Sequence, residues 1–501
     1  MTTDSEFNVP LIIRGEIIDD YEVSFAGRNG GVAFRTPDVS KYMNRLTKGD
    51  AAALAAYQDV KVEEIARFLN ELSGMLNLDK NSAWKRAYEL SVHTSGLTAP
   101  ILEFLYTYGA RKALSRDAVM EYAEKRIGIA YLEGWVEQPL ANGGVNAIRA
   151  FGSKAVNIIA GNLPGVSVNT VLRGAITRSD CITKTPSNDP LTMSAILRTM
   201  IELDRDHPVT RHMSAAYWKG GDEKVEATLY NPNRIEKIVA WGGFDSIKHI
   251  TRYLQPGLDL ITLDPKHSMS VIGREALVEG SAMEEAAIRA ALDVGLWNQE
   301  ACANARMVYV ECDVDDPEQL EGLNRLGQKV FEGFAKLPTT LSTPVKSLPQ
   351  ELKEELEGLV FQDEWYRLHR GGDRDGCVIV SQTDEAVPFA SLLAARTVNL
   401  VPVASADEAL KRVSAWTQTI GVYPPSLRRK IRDGLALRGA QMIVDLGFVA
   451  RMNSYGPMDG MEPERRMLKW VVDQTPSPRI PAPWTAESAE TQAVKELSLA
   501  S

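Results

Sequence analysis

The chain has 501 residues, 44% hydrophobic and 24% charged, the balance of a globular protein with room for two or three lobes rather than one core. Its 66 acidic residues outnumber 56 basic ones, for a net charge of -10, and no basic run or aromatic-basic interleaving appears, which argues against a nucleic-acid partner. Four cysteines without C-x-x-C pairing make no disulfide framework, and six histidines without H-E-x-x-H spacing argue against a metal site.

In chain order, MTTDSEFNVPLIIRGEIIDD lacks the basic start, apolar core and small-residue cleavage site of a secretion signal. The apolar runs are strand-length, so no membrane span is expected, and the cytoplasm is the expected compartment. Residues 1 to about 36 read as strands and turns: VPLIIRG, YEVSFAG, then RNGG. From about 50 to 135 the pattern is helical, with apolar residues at i, i+3, i+4 and i+7 in VEEIARFLNELSGMLNL. Between 151 and 275 strands alternate with helices. VNIIA (156–160) is broken by GNLPG, VSVNTVLRGAITRS follows as a helix, and DCITKT (180–185) is a strand ended by Pro186. EKIVAWGG and LDLITLD are two further strands, each before a polar turn, the pattern of parallel β-α-β construction. A second alternating region, from 281 to about 425, is interrupted by the loop LPTTLSTPVKSLPQ (337–350). TPSPRIPAPWTAESAE closes the chain as a Pro-rich arm.

Three of the cysteines lie in strands: Cys181 in DCITKT, Cys377 in GCVIVS, and Cys312 on the same face of RMVYVEC as Val308 and Val310. They read as small buried residues. Cys302, in LWNQEACANAR, is placed differently. The S-x-x-E spacing of Ser281 and Glu284 opens a helix with a capping box, and Ile288, Leu292 and Leu296 give that helix a buried stripe. The next strand begins at Met307, so Cys302 falls in the polar connection. A thiol there, flanked by amides able to donate hydrogen bonds, reads as a nucleophile or, equally, as an ordinary loop cysteine.

Three other stretches carry chemistry. GNLPG offers backbone N–H groups, a helix dipole and the Asn162 amide to an anion or a developing oxyanion, though a plain tight turn accounts for it as well. Lys184 and Ser187, at a strand's carboxyl end, suit a ribose or a phosphate; a solvated lysine is the bland alternative. Gly242 and Gly243, between a strand and a helix, allow close backbone approach to a ligand, as would serve any turn. No G-x-G-x-x-G lies at a strand-to-helix turn, so an ordinary dinucleotide fold is not indicated. His249 and His267 read as structural, and GGDRDG (371–376) lacks the ligand series of a calcium loop.

Taken in order, these stretches resemble the aldehyde dehydrogenase superfamily, and more closely the bacterial acyl-CoA reductases typified by LuxC. VPLIIRG, GNLPGVSV, DPKHSMSVI, NQEACANAR, ARTVNLVPV and YGPMDGMEPERRMLKW carry the likeness over roughly residues 8 to 475. The resemblance implies an α/β, aldehyde-dehydrogenase-like fold of two βαβ-type lobes plus a small oligomerisation element. The expected division is 1–278 for the N-terminal elements and cofactor-binding domain, 279–440 for the catalytic domain, and 441–501 for a C-terminal segment and arm that could serve oligomerisation. It further implies that Cys302 takes the acyl group and that Asn162 and the Cys302 backbone N–H form the oxyanion hole. Lys184 and Ser187 would hold the adenosine ribose or its 2′-phosphate, Gly243 would lie against the nucleotide, and Glu385 would hold the nicotinamide ribose.

One departure bears on the reaction. Oxidising members carry a glutamate in a LELGGKSP-like stretch, where it activates water; the matching position here is Leu263, with Asp264 next to it. Without a positioned base an acyl-enzyme outlives water attack, which favours reduction of an acyl-CoA by NADPH with release of CoA. Asp264 or Glu300 could stand in as base. The alternatives are NAD(P)-dependent aldehyde oxidation and a non-catalytic subunit presenting an acyl-binding surface to a ligase or transferase. The expected partners are an acyl-CoA substrate, further copies of the chain in a dimer or tetramer, and an acyl-activating ligase or aldehyde-consuming enzyme. Met458 stands where relatives are expected to carry a histidine.

Overall fold

Strands buried on both faces carry no polar alternation, and the apolar runs of this chain behave accordingly. In the computed structural model, which describes residues 7–27, 31–47, 51–449, 456–480, 482 and 484, Ala155, Cys181, Ala215 and Val239 point into one core while Val156, Ile182, Ala216 and Ile238 point into another. Most of the RNGG turn and most of the arm beyond residue 480 lie outside the described residues.

These strands form the first of two seven-stranded sheets. Its spatial order is Asp259–Leu263, Lys237–Trp241, Lys154–Ile158, Asp180–Lys184, Met213–Ala216, Leu11–Ile13 and Glu16–Ile18. The first five are parallel and the last two antiparallel. The helices of residues 51–133 pack on one face. The second sheet runs Tyr366–Arg370, Cys377–Ser381, Thr397–Val403, Ala305–Glu311, His267–Ile272, Thr417–Tyr423 and Met442–Asp445. All are parallel except the first. A small antiparallel sheet joins Val136–Pro139, Val145–Phe151 and Lys469–Thr475.

The sheets divide the chain elsewhere than the expected boundaries. Strand His267–Ile272, ahead of residue 278, already belongs to the second sheet, and so does Met442–Asp445 beyond residue 440. After residue 460 the chain returns to the first lobe: Met467 and Leu468 are buried in its core, and Lys469–Thr475 pairs with Val145–Phe151. Periodicity marks elements but not which sheet a strand joins, because pairing is set by partners remote in sequence.

The helix leading to Cys302 also departs from expectation. It spans Ser281–Gly295 and is capped by Gly280 with no side-chain hydrogen bond, so the capping box does not form; Glu284 pairs instead with Lys329. Its buried face is Met283, Ala286, Ala287, Ala290, Ala291 and Val294, while Ile288 and Leu292 are half-buried. The small residues let helix Pro317–Lys336 approach closely: a methyl group at Gly333 would meet Ala291 Cβ at 2.8 Å. No described helix is long and apolar enough to cross a membrane.

Candidate active site

The chain passes from one sheet to the other through residues 264–266, so the carboxyl ends of the first sheet's strands face the amino ends of the second's. The GNLPG loop leaves strand Lys154–Ile158 on the facing side and opens helix Gly165–Ile176. Asn188, in the loop after Lys184, clasps it by donating Nδ2 to the Gly161 carbonyl at 2.9 Å. Only glycine fits at 161, because a Cβ would lie 2.3 Å from Asn188 Oδ1. From this loop Asn162 Nδ2 donates to the Glu300 carbonyl at 2.9 Å. The structure therefore brings Asn162 onto the Cys302 loop.

That loop is fixed by unusual means. Trp297, Asn298 and Gln299 have φ of 50°, 52° and 68°, a left-handed conformation that costs about 1–2 kcal/mol per residue. Their surroundings compensate. Asn298 exchanges two hydrogen bonds with Thr343, and Trp297 N–H donates to the Leu341 carbonyl at 2.6 Å. Gln299 donates Nε2 to the carbonyls of Ala305 and Thr397 and accepts the Thr397 N–H. Asn304 accepts from the Ala301 N–H and donates to the Asp293 carbonyl. The amides around the thiol are thus braces on the backbone rather than donors to sulfur. Three of these eight hydrogen bonds come from Leu341 and Thr343 in the 337–350 loop.

The thiol itself is half-buried. Burial, and then the Asp459 carboxylate, push its pKa above the ordinary cysteine value, while Gln418 and the N–H groups of Cys302 and Ala303 pull it back. In the other three thiols burial dominates: it pushes Cys181 up to about 12 despite a hydrogen bond from Asn157, Cys377 up to about 12 and Cys312 up to about 11. All three are 2% exposed or less, as read from their strands.

Two groups at the thiol were not singled out in the sequence. Gln418, in strand Thr417–Tyr423, donates Nε2 to Asp459 Oδ1 at 2.6 Å. Asp459 sits in a tight turn, where Met458 and Met461 exchange backbone hydrogen bonds and Asp459 and Gly460 both have positive φ. The Asp-Gly dipeptide is a known signal for such turns and could have marked it. Of the substitute bases considered, Glu300 has its carboxylate against Gly96, 2.1 Å from where a Cβ would stand, and acts on Arg306 and Lys346. Leu263 is fully buried.

The residues assigned to a nucleotide fall at the first sheet's carboxyl edge. Lys184 Nζ lies 5.7 and 5.6 Å from the ring centroids of Tyr217 and Trp218, and burial brings its pKa down to about 8. Ser187 hydrogen-bonds Tyr217. Gly243 caps helix Phe244–Thr251, and nothing lies within 4 Å of where its Cβ would be. An aromatic-backed cation and an open glycine turn, at the carboxyl ends of two strands that flank Lys154–Ile158, suit a nucleotide sugar and phosphate. Glu385 falls elsewhere. It is exposed past the carboxyl end of strand Cys377–Ser381, where its charge acts on Tyr366, whereas Cys302 precedes the amino end of the parallel strand Ala305–Glu311.

Two facing α/β lobes with a cysteine between them define an oxidoreductase of the aldehyde-dehydrogenase fold. Lactaldehyde dehydrogenase superposes with a TM-score of 0.70 at 15% identity, over 94% of this chain and 100% of that one. An NADP complex of the NADP-dependent glyceraldehyde-3-phosphate dehydrogenase from Bacillus halodurans gives 0.70 at 13%, with the same coverage. The profile described as acyl-CoA reductase (LuxC) matches residues 57–470, and the chain belongs to that family. It is 24% identical to the long-chain acyl-protein thioester reductase of Vibrio harveyi over 94% of both chains. With the enzyme of the same name from Aliivibrio fischeri it shares 30% identity over 64% of each chain.

Proposed function

We propose that the protein reduces an acyl-CoA thioester to the aldehyde with NADPH and releases CoA, through an acyl-thioester on Cys302. The observation that carries this reading is a thiol flanked by N–H groups, paired with a buried leucine, Leu263, at the place of the water-activating glutamate. Attack requires the thiol to lose its proton, and Asp459, across Gln418, is the carboxylate in place to take it. The carbonyl oxygen of the substrate becomes an oxyanion beside the Cys302 N–H, with Asn162 as the second donor once substrate competes with the Glu300 carbonyl. Collapse expels CoA as its thiolate, leaving the acyl group on sulfur. Lys184, Ser187 and Gly243 would hold NADPH, which would supply the hydride that takes this acyl group to the thiohemiacetal oxyanion. Cys302 then leaves as thiolate and frees the aldehyde. Exposed Val471 and Val472 on strand Lys469–Thr475 support assembly of several copies.

The test is an incubation with acyl-CoA and NADPH that quantifies aldehyde, free CoA and oxidised cofactor in equal amounts. Consumption of acyl-CoA without cofactor oxidation sinks the reading. Asp459, a carboxylate facing the thiol, favours a second reading, aldehyde oxidation with water activated there. Acid formed from aldehyde and NAD(P)+, with no reaction of acyl-CoA, selects it.

A further inference from the structure

One short loop touches both sites. Residues 185–189 follow strand Asp180–Lys184 and are pinned at either end. Thr185 N–H donates to the Ala216 carbonyl at 3.0 Å. Asp189, 5% exposed, accepts from the N–H and the hydroxyl of Thr192, the first residue of helix Thr192–Asp204. The Asn188 carbonyl accepts from the Thr94 hydroxyl at 2.7 Å. Between these anchors Pro186, Ser187 and Asn188 are half-buried. Asp189 N–H donates to the Pro186 carbonyl at 3.3 Å, which closes the stretch into one turn.

The three residues of that turn look two ways. Ser187 hydrogen-bonds Tyr217, the ring on which Lys184 Nζ lies. Pro186 and Asn188, on either side of it, both abut Gly161. A Cβ there would stand 2.7 Å from Pro186 Cγ, and Asn188 Nδ2 donates to the Gly161 carbonyl at 2.9 Å. Asn162 comes next in the chain and holds the Glu300 carbonyl. A ribose hydroxyl that takes the Ser187 hydrogen bond must draw Ser187 off Tyr217. With Thr185 and Asp189 fixed, its two neighbours share the displacement, and the Gly161 backbone is what they press on. The Asn162 amide is one peptide unit further on.

We propose that Asn188 couples the nucleotide site to the oxyanion donor, so that a nucleotide on Lys184 and Ser187 speeds acyl transfer to Cys302. This rests on the reading above, in which those two residues hold NADPH and Asn162 serves the oxyanion. The step itself consumes no hydride: the Cys302 sulfur bonds the acyl carbon, the bond to CoA sulfur breaks, and CoA leaves as thiolate. The nucleotide therefore acts on it only through the protein. Asn188 works through the Gly161 carbonyl and is a positioning residue.

The test uses oxidised NADP+, which cannot reduce the acyl-enzyme. The full chain is mixed with hexadecanoyl-CoA, with and without saturating NADP+, and the adduct is followed by intact mass; titration calorimetry sets the saturating concentration for each variant. The wild-type rate is expected to rise about fivefold with nucleotide. Asn188→Asp, which keeps the side chain's size and removes its Nδ2 donor, should bring the ratio of the two rates to about one, and Asn188→Ala should do the same without adding a charge. A wild-type rate that NADP+ leaves unchanged or lowers, or a fivefold rise that survives both substitutions, overturns the proposal and leaves the acyl-cysteine reading standing. No adduct under either condition, with Cys302 still open to iodoacetamide, overturns both.

Discussion

The sheet built on Lys154–Ile158 sets its glycine turns and Lys184 at the carboxyl ends of its strands, as open parallel sheets usually do with ligand-binding groups. The sheet built on Ala305–Glu311 carries its thiol at the amino end. The two ends are chemically unlike. A strand's carboxyl end leads into a helix N-terminus, where free N–H groups favour anions. Its amino end receives a helix C-terminus, where carbonyls disfavour a thiolate. A nucleophile there needs an added device to turn N–H groups towards sulfur. In this chain the left-handed run Trp297–Gln299 supplies it, and the N–H groups of Cys302 and Ala303 reach the thiol.

Substitutions can break or sharpen this contrast. The largest effect belongs to the amino-end site: Cys302→Ala should abolish the acyl adduct and lower reductase turnover by at least about 10³-fold, read by intact mass and aldehyde formation. An adduct that survives places the nucleophile elsewhere. Asn162→Ala, which removes a side chain bridging the two ends, should lower kcat by about 10²-fold with KM nearly unchanged. A loss of thermal stability with kcat intact would show that it only ties down the loop.

At the carboxyl-end site, Lys184→Met should raise the KM for NADPH about tenfold. Burial has lowered the Lys184 pKa to about 8, so in the wild type this KM should climb as pH passes 8 and the ammonium loses its proton. Lys184→Arg should flatten that profile. The smallest effect is electrostatic. Asp459→Asn removes a charge that raises the thiol's pKa, so more thiolate is present at any given pH. Alkylation by iodoacetamide at pH 8 should speed up about two- to fivefold, and an unchanged rate would separate Asp459 from the thiol.

The elements around the site were largely legible in the sequence. GNLPG, DCITKT and the Gly242–Gly243 turn announced themselves by strand-length apolar runs ending in turn residues, and Cys302 stood apart from three cysteines with strand neighbours. What escaped is what depends on distant partners. Asn298, Gln299 and Asn304 were seen as polar, but their acceptors on Thr343, Thr397 and Asp293 are set by the fold. Gln418 and Asp459 lie more than a hundred residues from the cysteine they serve. The buried face of Ser281–Gly295 was misplaced because alanine counted for little beside isoleucine and leucine, whereas helix-on-helix contact at Gly333 favours the smaller side chain.

The Cys302 loop and the turn that carries Asp459 differ in how they act on the sulfur. Each amide on the loop makes two or three hydrogen bonds, so any substitution at 298, 299 or 304 disturbs the loop that carries the sulfur. The Met458–Met461 turn is closed by two backbone hydrogen bonds and tied to its surroundings by Gln418 on Asp459 and Arg173 on Met458. Asp459 in that turn acts on the thiol, so a change there reaches the sulfur through charge rather than through position. The position of the sulfur and its acidity are therefore held by separate segments of the chain, so a substitution in the turn can retune the thiol while the loop keeps it in place.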